Sequence, residues 1–347
     1  MSAINTALCS FGMSGKIFHA PFIQLNKGFN LYGVWERSKK TAAADYPAIK
    51  SFESLEAMLA DVAIELVVVN TPNYTHYEFT KKALLAGKHV LVEKSFTVTV
   101  SEAEELIQLA KKQDKQLSVY QNRRYDSDFK TVQKIVSEGL LGKIVEAEFH
   151  FDRFNLSLSP KQHKENTNPG AGLLHDLGPH IIDQAICLFG MPKSLFGYLR
   201  VQRPLSLVND YFNADLFYPE LTVRLKAGLI VREPPDAYCL HGTHGSFVKQ
   251  RADVQEDTLK QGFKPGASDW GKEAPDASGI LNISRDGLTS RIVIPSLQGN
   301  YMEFYDALYK AIKDKEKLPV SAEDGLNVMR IIEAVRKSDH LGTIISV

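Results

Sequence analysis

The stretch Ala7-Leu-Cys-Ser-Phe-Gly-Met-Ser-Gly15 predicts a strand, a tight turn and the start of a helix. Residues 7–11 are mostly apolar and predict the strand. Gly12 and Gly15 match the second and third glycines of the GxGxxG pattern, which lets backbone N–H groups approach a dinucleotide diphosphate at a helix N-terminus. Ser10 stands in place of the first glycine, so the match is partial, and an ordinary turn is the alternative.

Beyond this turn, the first third of the chain alternates short apolar runs with helical patterns. The runs predict strands at residues 31–35, 64–69, 89–92 and 117–120. A first helix is predicted after a cap at Ser54, with an apolar face formed by Leu55, Met58, Leu59 and Val62. A second is predicted at 78–86 and ends before Gly87. A third begins at a capping box formed by Ser101 and Glu104 and runs to about Gln113. A βαβ series of this kind predicts a parallel sheet covered by helices.

The pattern changes after Asn122, where strands with one polar face replace the continuous apolar runs. A helix is predicted at 126–137, followed by Gly139 beyond its cap. In residues 145–151 apolar and polar side chains alternate, which is typical of a strand with one buried face. Further strands are predicted at 211–218, 221–226, 229–232 and 238–241, a hairpin at 241–246, an irregular loop at 261–279, and helices at 301–313 and 322–338.

At 347 residues the chain exceeds one typical core, so we expect two domains, residues 1–121 and 122–347.

The composition restricts the class of protein. Lys+Arg and Asp+Glu balance at 41 each, so nothing in the charge indicates a nucleic acid partner. No apolar run approaches the roughly 20 residues needed to span a bilayer, and no signal-peptide pattern is visible. Cys9, Cys187 and Cys239 are odd in number and widely spaced, which favours reduced thiols over a disulfide framework. We therefore expect a cytoplasmic protein with no membrane partner.

The residues at the end of the second predicted strand concern the choice of cofactor. Glu36 lies 21 residues beyond Gly15, where an acid can hydrogen-bond the adenosine ribose and repel a 2′-phosphate. Four residues that follow it could instead pair with such a phosphate: Arg37, Ser38, Lys39 and Lys40. The sequence therefore leaves NAD and NADP open.

Two further loops follow predicted strands, at residues 70–76 and 93–95. Ligands of open α/β sheets bind beyond the carboxyl ends of the strands, where both loops should lie. Lys94 is thus a candidate functional residue, and an exposed surface lysine is the alternative.

The stretch from Gly170 to Asp183 places Asp176 and His180 four residues apart. On a continuous helix such residues share one face, where a carboxylate can orient an imidazole. A histidine titrates near neutrality and can exchange a proton with a substrate oxygen. The alternative is a buried histidine whose hydrogen bonds are made within the core. His175 should point to another helix face, and no cysteine completes a ligand shell, so we expect no metal site.

Together these residues resemble the Gfo/Idh/MocA family of oxidoreductases over essentially the whole chain. The motifs that carry the resemblance are residues 12–21 (GMSGKIFHAP), 71–73 with His76, 88–94 (KHVLVEK), 121–124 (QNRR), 170–183, 241–246 (HGTHGS) and 319–324 (PVSAED). The resemblance implies an N-terminal Rossmann domain with a parallel sheet, and a C-terminal α/β domain with a large, open, mostly antiparallel sheet that often builds oligomers. We therefore expect a homo-oligomer, either a dimer or a tetramer.

The resemblance also implies the site residues. Glu93 and Lys94 match the family's EKP motif with its catalytic lysine, and Ser95 replaces the proline, which loosens the backbone restraint on that lysine. Asp176 and His180 match the catalytic carboxylate and histidine of the second domain. The expected cofactor contacts are Phe11, Gly12, Met13, Ser14, Gly15, Glu36, Arg37, Thr71, Pro72, Asn73, His76, Glu93, Lys94 and Gln121. The expected substrate contacts are Lys94, Asn122, Arg123, Asp176 and His180.

The predicted reaction is hydride transfer between NAD or NADP and a hydroxyl or carbonyl carbon of a small polar substrate, a sugar, a polyol or a derivative. His180 would exchange the proton, Lys94 would stabilise negative charge on the oxygen, and Asp176 would orient the substrate or the imidazole. Arg123 or Arg124 could grip the substrate, or form an interdomain salt bridge instead. A non-catalytic nucleotide-binding sensor of the same fold is the alternative function.

Overall fold

The computed structural model describes residues 2–37, 40–285 and 287–347, and the chain folds into two compact units. The first unit contains Met1–Asn122, Gln255–Trp270 and Asn300–Leu326; the second contains Arg123–Val254, Gly271–Gly299 and Asn327–Val347. Two segments from late in the chain therefore pack with the N-terminal part, a grouping that the sequence patterns do not predict. A single domain boundary after residue 121 stays a prediction.

The secondary structure alternates strands and helices in the first part of the chain and is richer in strands in the second part. The strands are β1 Ile4–Leu8, β2 Phe29–Trp35, β3 Lys50–Phe52, β4 Leu66–Val69, β5 His89–Glu93, β6 Leu117–Tyr120, β7 Ile144–His150, β8 Ser194–Arg200, β9 Tyr211–Phe217, β10 Thr222–Gly228, β11 Tyr238–Gly242, β12 Gly245–Lys249, β13 Gly279–Arg285, β14 Leu288–Ile294 and β15 Ile345–Ser346. The helices are α1 Ala20–Leu25, α2 Ala42–Asp45, α3 Leu55–Ala60, α4 His76–Leu85, α5 Val100–Lys112, α6 Ser127–Ser137, α7 Gln162–Glu165, α8 Leu173–Asp176, α9 Gly178–Phe189, α10 Gln255–Lys260, α11 Met302–Lys313 and α12 Ala322–Leu341.

The first unit contains a six-stranded sheet with the order β3-β2-β1-β4-β5-β6. Every neighbouring pair is parallel. The order reverses between β1 and β4, and open sheets of this kind bind dinucleotides in the crevice at such a reversal. All four residues of β4 are buried, as expected for a strand covered on both faces. The predicted parallel Rossmann-type sheet is thus confirmed.

Two local predictions in the first unit are wrong in their boundaries. β1 ends at Leu8, before most of the predicted stretch 7–11, because Ser10 bonds to Asn70 and leaves the strand ladder. α3 ends at Ala60, so Val62 lies beyond the helix and is 93% exposed. The predicted cap of α3 at Ser54 is confirmed, since its side chain accepts a hydrogen bond from the helix.

The capping box of α5 lies two residues earlier than predicted. Thr99 Oγ1 accepts from the backbone N–H of Glu102, and the Glu102 carboxylate accepts from the backbone N–H of Thr99. Thr99 has the extended backbone that a cap requires, whereas Ser101 already lies inside the helix. The box predicted for Ser101 and Glu104 is therefore wrong, although it has the same spacing.

The second unit contains a nine-stranded sheet with the order β14-β13-β12-β11-β7-β10-β9-β8-β15. Among the strand pairs that the described residues form in this sheet, only β7–β10 is parallel, and the other pairs are antiparallel. The hairpin predicted at 241–246 joins β11 to β12. This sheet confirms the predicted large, mostly antiparallel architecture.

Several strands of the second sheet differ from the sequence prediction. Residues 229–232 form no strand but one isolated bridge between Ile230 and Phe154. β8, β13, β14 and β15 are not predicted. β14 has almost every residue exposed, so it lacks the alternation of buried and exposed residues that marks a half-buried strand.

Helices cover one face of the second sheet. α9 packs against β7 and β10, and α8 packs against β9 and β10. Ile181, Ile182 and Ala185 of α9 are fully buried, so its apolar face forms part of the core. Within residues 2–37, 40–285 and 287–347, no helix has the length and apolar character needed to cross a membrane.

Candidate functional site

Four loops of the first unit follow adjacent parallel strands and lie at the carboxyl edge of the sheet. They begin after β1, β4, β5 and β6 and contain the predicted residues Phe11 to Gly15, Thr71 to His76, Glu93 to Lys94, and Gln121 to Asn122. The parallel topology alone brings these loops to one edge. Gln121 and Asn122 are buried there.

Asn70 holds the glycine turn in place. Its Oδ1 accepts from the backbone N–H of Ser10 at 3.0 Å, and its Nδ2 donates to the carbonyl oxygen of Ser10 at 2.9 Å. Ser10 Oγ in turn donates to the carbonyl oxygen of Asn70 at 2.9 Å. The serine that replaces the first glycine is therefore part of the turn. Sequence reasoning missed Asn70 as a site residue, although its position directly after β4 was a signal.

The two glycines of the turn have different physical roles. A Cβ at Gly15 would lie 2.5 Å from the carbonyl oxygen of Ser10, so no larger residue fits there. A Cβ at Gly12 would meet no atom within 4 Å, so this backbone borders open space. The helical turn Gly15–His19 begins three residues after Gly12, and the backbone N–H of Lys16 donates to the carbonyl oxygen of Gly12. Open space beside a helix start fits the diphosphate of a dinucleotide.

Two other predicted residues of the turn, Phe11 and Met13, differ in exposure. Phe11 is buried and its ring contacts Tyr46 edge-on, with centroids 5.9 Å apart. Met13 is half exposed.

Glu36 contacts the start of α2. Its Oε1 accepts from the backbone N–H and the hydroxyl of Thr41, and its Oε2 accepts from the backbone N–H of Ala42. Arg37 is exposed, and Lys40 pairs with Glu53 at 2.9 Å. The predicted residues Ser38 and Lys39 lie outside the described residues.

The loop after β4 is closed by short-range hydrogen bonds. Thr71 Oγ1 lies 2.6 Å from Thr75 Oγ1, and Thr75 N donates to Pro72 O at 2.9 Å. Asn73 begins a single helical turn, Asn73–Thr75. These bonds fix the backbone of the predicted cofactor loop.

His76 lies behind this loop and is 1% exposed. Its Nε2 is 2.9 Å from the carbonyl oxygen of Thr71, and its Nδ1 is 2.7 Å from that of Ser95. Burial lowers the pKa of His76, against the two carbonyl groups, which raise it. The ring therefore links the loops that follow β4 and β5.

Glu93 ends β5 and lies beside the glycine turn. Its Oε1 accepts a hydrogen bond from Ser14 Oγ and lies 3.1 Å from His19 Nε2. Burial raises the pKa of Glu93, but the bonds from His19 and Ser14 and the charge of Lys94 outweigh burial and hold it below its ordinary value. Glu93 is therefore a carboxylate at neutral pH. Lys94 follows, and its peptide bond to Ser95 is cis.

In the second unit, a break in the helix separates Asp176 from His180. Asp176 ends α8, Leu177 interrupts, and α9 begins at Gly178. Pro179 has no N–H, so it cannot continue the hydrogen-bond ladder of α8. The continuous helix predicted across Asp176 and His180 is therefore wrong, and their shared helix face does not follow from the spacing.

Asp176 and His180 have different surroundings. Asp176 pairs with Lys164 at 2.8 Å, and both side chains are about one-third exposed. His180 is 6% exposed, and its ring lies 6.1 Å from that of Phe151. His175 is buried, and burial, together with the charge of a neighbouring arginine, lowers its pKa to about 4.

The two arginines after β6 form ion pairs within the second unit. Arg124 donates from Nε and Nη2 to the two carboxylate oxygens of Asp183, both at 2.7 Å. Arg123 pairs with Asp126 at 3.1 Å, and its guanidinium lies 5.1 Å from the ring centre of Phe151. Asp183 lies three residues after His180 on α9, so the Arg124 pair holds the helix that carries this histidine. Substrate contact by Arg123 stays a prediction.

The sheet order, the glycine turn and the lysine at the carboxyl edge define a dinucleotide-binding Rossmann protein with a second α/β unit. Residues 4–121 match the family model described as "Oxidoreductase family, NAD-binding Rossmann fold", and residues 133–347 match "Oxidoreductase family, C-terminal alpha/beta domain". The chain belongs to the Gfo/Idh/MocA family of oxidoreductases, whose first domain binds NAD or NADP.

Several known proteins are similar to this chain over almost its whole length. An uncharacterized oxidoreductase of Schizosaccharomyces pombe is 39% identical, over 97% of this chain and 98% of the relative. The scyllo-inositol 2-dehydrogenase (NADP(+)) of Bacillus subtilis is 38% identical, over 97% of this chain and 94% of the relative. The solved structure of the yvaA protein of Bacillus subtilis has a TM-score of 0.95 and 36% identity, covering 100% of this chain and 99% of that one.

Proposed function

We propose that this protein is a dehydrogenase or reductase that moves a hydride between NAD(P) and the hydroxyl or carbonyl carbon of a sugar, a polyol or a related small polar molecule. The observation that carries the proposal is the bond between Ser14 of the glycine turn and Glu93, the residue before Lys94. This bond connects Glu93, and with it the neighbouring Lys94, to the turn that fits the diphosphate of the cofactor. A relative with the name of an inositol dehydrogenase supports a polyol or sugar as the substrate class.

The bound nicotinamide supplies or accepts the hydride. Lys94 stabilises negative charge on the substrate oxygen. His180 takes the hydroxyl proton in oxidation or returns it in reduction. Asp176 orients the substrate or the imidazole, and the ion pair with Lys164 limits its motion. We propose Asn122 and Arg123 as further substrate contacts.

The test is turnover on a panel of sugars, polyols and their oxidised forms, followed by the absorbance of the reduced nicotinamide. With an active substrate identified, Lys94→Met and His180→Ala should each lower kcat by about 100-fold or more while the cofactor still binds. Lys112→Met and His340→Ala are matched controls, since the first lies at the end of α5 and the second is exposed. Near-unchanged turnover in both site variants would contradict the assignment.

The cofactor that we propose is NADP. In a site for NAD, the acid after β2 accepts hydrogen bonds from the ribose hydroxyls. Here the Glu36 carboxylate already accepts three hydrogen bonds from the start of α2. The exposed Arg37 beside it can pair with a 2′-phosphate. The NADP dependence in the name of the inositol dehydrogenase relative agrees with this choice.

Fluorescence titration with NADPH and NADH tests the cofactor preference. Arg37→Ala should weaken NADPH binding by about tenfold and leave NADH binding nearly unchanged, because only NADPH carries the phosphate. Lys112→Ala is the control, since Lys112 is an exposed cation at the end of α5 and is not among the residues that could pair with the phosphate. A stronger loss of NADH than of NADPH would reverse the assignment.

One outcome would favour the alternative function over this proposal. Tight nucleotide binding without turnover on the whole panel would indicate a non-catalytic sensor.

A cytoplasmic location and a homo-oligomer, either a dimer or a tetramer, are also proposed here. Light scattering of the purified protein tests the oligomeric state. A monomer at micromolar concentration would contradict it.

A further inference from the structure

Two buried histidines hold the residues on either side of Lys94. His19 is fully buried and His76 is 1% exposed. His19 Nε2 lies 3.1 Å from the Glu93 carboxylate, and His76 Nδ1 lies 2.7 Å from the carbonyl oxygen of Ser95. The residue before Lys94 and the residue after it are therefore each bonded to an imidazole.

Each histidine also connects to one of the loops proposed to bind the cofactor. His19 ends the helical turn after the glycines, and its partner Glu93 also accepts from Ser14 of the glycine turn. The second ring nitrogen of His76 faces the carbonyl oxygen of Thr71 at 2.9 Å. The segment around Lys94 is thus connected to both cofactor loops: Ser14 and His19 both bond Glu93 from the side of the glycine turn, and His76 lies between Ser95 and Thr71.

The orientation of the His19 ring is set from both sides. Glu93 is a carboxylate and can only accept, so His19 Nε2 donates to it. Nδ1 lies 2.8 Å from the hydroxyl oxygen of Tyr305, and this hydroxyl donates its proton to the carbonyl oxygen of Phe18 at 2.9 Å. These contacts hold the plane of the ring, so the Glu93 carboxylate has one preferred position.

The His76 ring faces two acceptors. A neutral imidazole has one N–H and donates to one carbonyl at a time, and burial favours the neutral form. The Ser95 contact is the shorter of the two. Loss of the nitrogen that faces Ser95 should therefore free the residue after Lys94.

We propose that His19 and His76 are positioning residues for Lys94, and that they couple the direction of this lysine to the two cofactor loops. The inference rests on the proposed function, in which Lys94 acts on the substrate oxygen. A catalytic group displaced by about 1 Å can cost on the order of 100-fold in rate, so small shifts of this segment should be measurable.

The design uses asparagine and glutamine as partial replacements of the imidazole. The asparagine amide reaches the place of Nδ1, and the glutamine amide reaches the place of Nε2. His19→Gln can therefore keep the bond to Glu93, while His19→Asn loses it. At the other position the order is reversed, because His76→Asn can keep the bond to Ser95 while His76→Gln loses it.

The expected result is an opposite order of activity at the two positions. At position 19 the glutamine variant should retain a kcat about tenfold above that of the asparagine variant, and at position 76 the asparagine variant should be the better one. NADPH affinity, measured by fluorescence, should change less than about threefold between the paired variants, since each amide keeps one of the two ring contacts and the cofactor loops keep their own backbone hydrogen bonds.

His89 supplies the matched control. It lies on the same strand as Glu93, at the opposite end, and its Nδ1 accepts from the backbone N–H of Gln116 at 3.0 Å. His89→Asn and His89→Gln should give equal kcat values, with any difference confined to thermal stability. The same order at positions 19 and 76, or losses of kcat that only follow the loss of stability, would overturn the inference.

A second readout does not depend on turnover. Reductive methylation with ¹³C-labelled formaldehyde places an NMR label on Lys94, assigned by its absence in Lys94→Arg. With NADPH bound, the wild type, His19→Gln and His76→Asn should give one sharp Lys94 signal, and the other two variants a shifted or broadened one. An inactive wild type would thus contradict the proposed function alone, whereas identical signals in all variants would contradict the inference.

Discussion

The candidate site residues of the two units are held by different kinds of interaction. In the first unit, Asn70 holds the glycine turn through hydrogen bonds to the backbone of Ser10. In the second unit, a charge pair holds the helix of the candidate histidine, since Arg124 bonds both carboxylate oxygens of Asp183.

This difference has an energetic consequence. A neutral hydrogen bond contributes about 1 kcal/mol to folding, whereas a buried charge that loses its partner costs about 3 kcal/mol or more. Single changes at the charge pair should therefore reduce stability most. Changes at the first loop should act more on cofactor binding, because they free a turn at the edge of an otherwise buried sheet.

The largest effect is expected from Asp183→Asn. It leaves the Arg124 guanidinium, whose side chain is 14% exposed, without its carboxylate, and should lower the free energy of unfolding by about 3 kcal/mol. Denaturant titration measures it, and Glu138→Gln is the control, because the pair of Glu138 with Lys134 is half exposed. A loss of stability no larger than that of Glu138→Gln would contradict the energetic difference between the two units.

A smaller loss is expected from Asn70→Ala in the first unit. Two side-chain hydrogen bonds to Ser10 disappear, which should cost about 2 kcal/mol and weaken NADPH binding by about tenfold. Asn30→Ala is the control, since Asn30 is exposed and its amide donates to the side chain of Asn5. NADPH affinity equal to that of the wild type would mean that Asn70 does not shape the cofactor turn.

His175 should make the second unit sensitive to acid. Its folded pKa is about 4, below the ordinary value of 6.5, so the unfolded chain binds the proton first as the pH falls. The stability that neutral His175 contributes is complete above pH 6.5 and is lost towards pH 4, by about 2 kcal/mol between pH 7 and pH 5. His175→Leu should remove this part of the pH dependence of unfolding, while the exposed His340→Leu should not. Equal pH slopes in both variants would contradict the assignment.

The smallest effect is expected from Ser10→Gly, which restores the glycine of the GxGxxG pattern. The hydroxyl bond to the carbonyl oxygen of Asn70 is lost, and the stability should fall by about 1 kcal/mol. NADPH affinity should stay within about threefold, because the backbone bonds to the Asn70 side chain remain. A gain in stability would show that the serine is a strained substitute for glycine.

The first unit was the easier one to predict from the sequence. Its central strand β4 is a continuous apolar run, although the short edge strand β3 was not predicted, and parallel strands bring the loops that follow them to one edge whatever the details of packing. The second unit was harder, because β14 exposes nearly every residue and residues 229–232 have a strand-like pattern without a partner strand. Period-two alternation marks a strand only where one face is buried.

The sequence by itself determined the βαβ series, the two glycines of the turn, the lysine after β5 and the family that these motifs indicate. Only the tertiary structure decided how the side chains around them are paired. His19 meets Tyr305 across 286 residues of sequence, and Arg124 meets Asp183 across 59. Local patterns record which residues prefer a strand, a turn or a cap, because these preferences arise from near neighbours. Contacts between distant residues depend on the packing of the whole sheet, so the groups that hold Lys94 and α9 could be identified only in the folded protein.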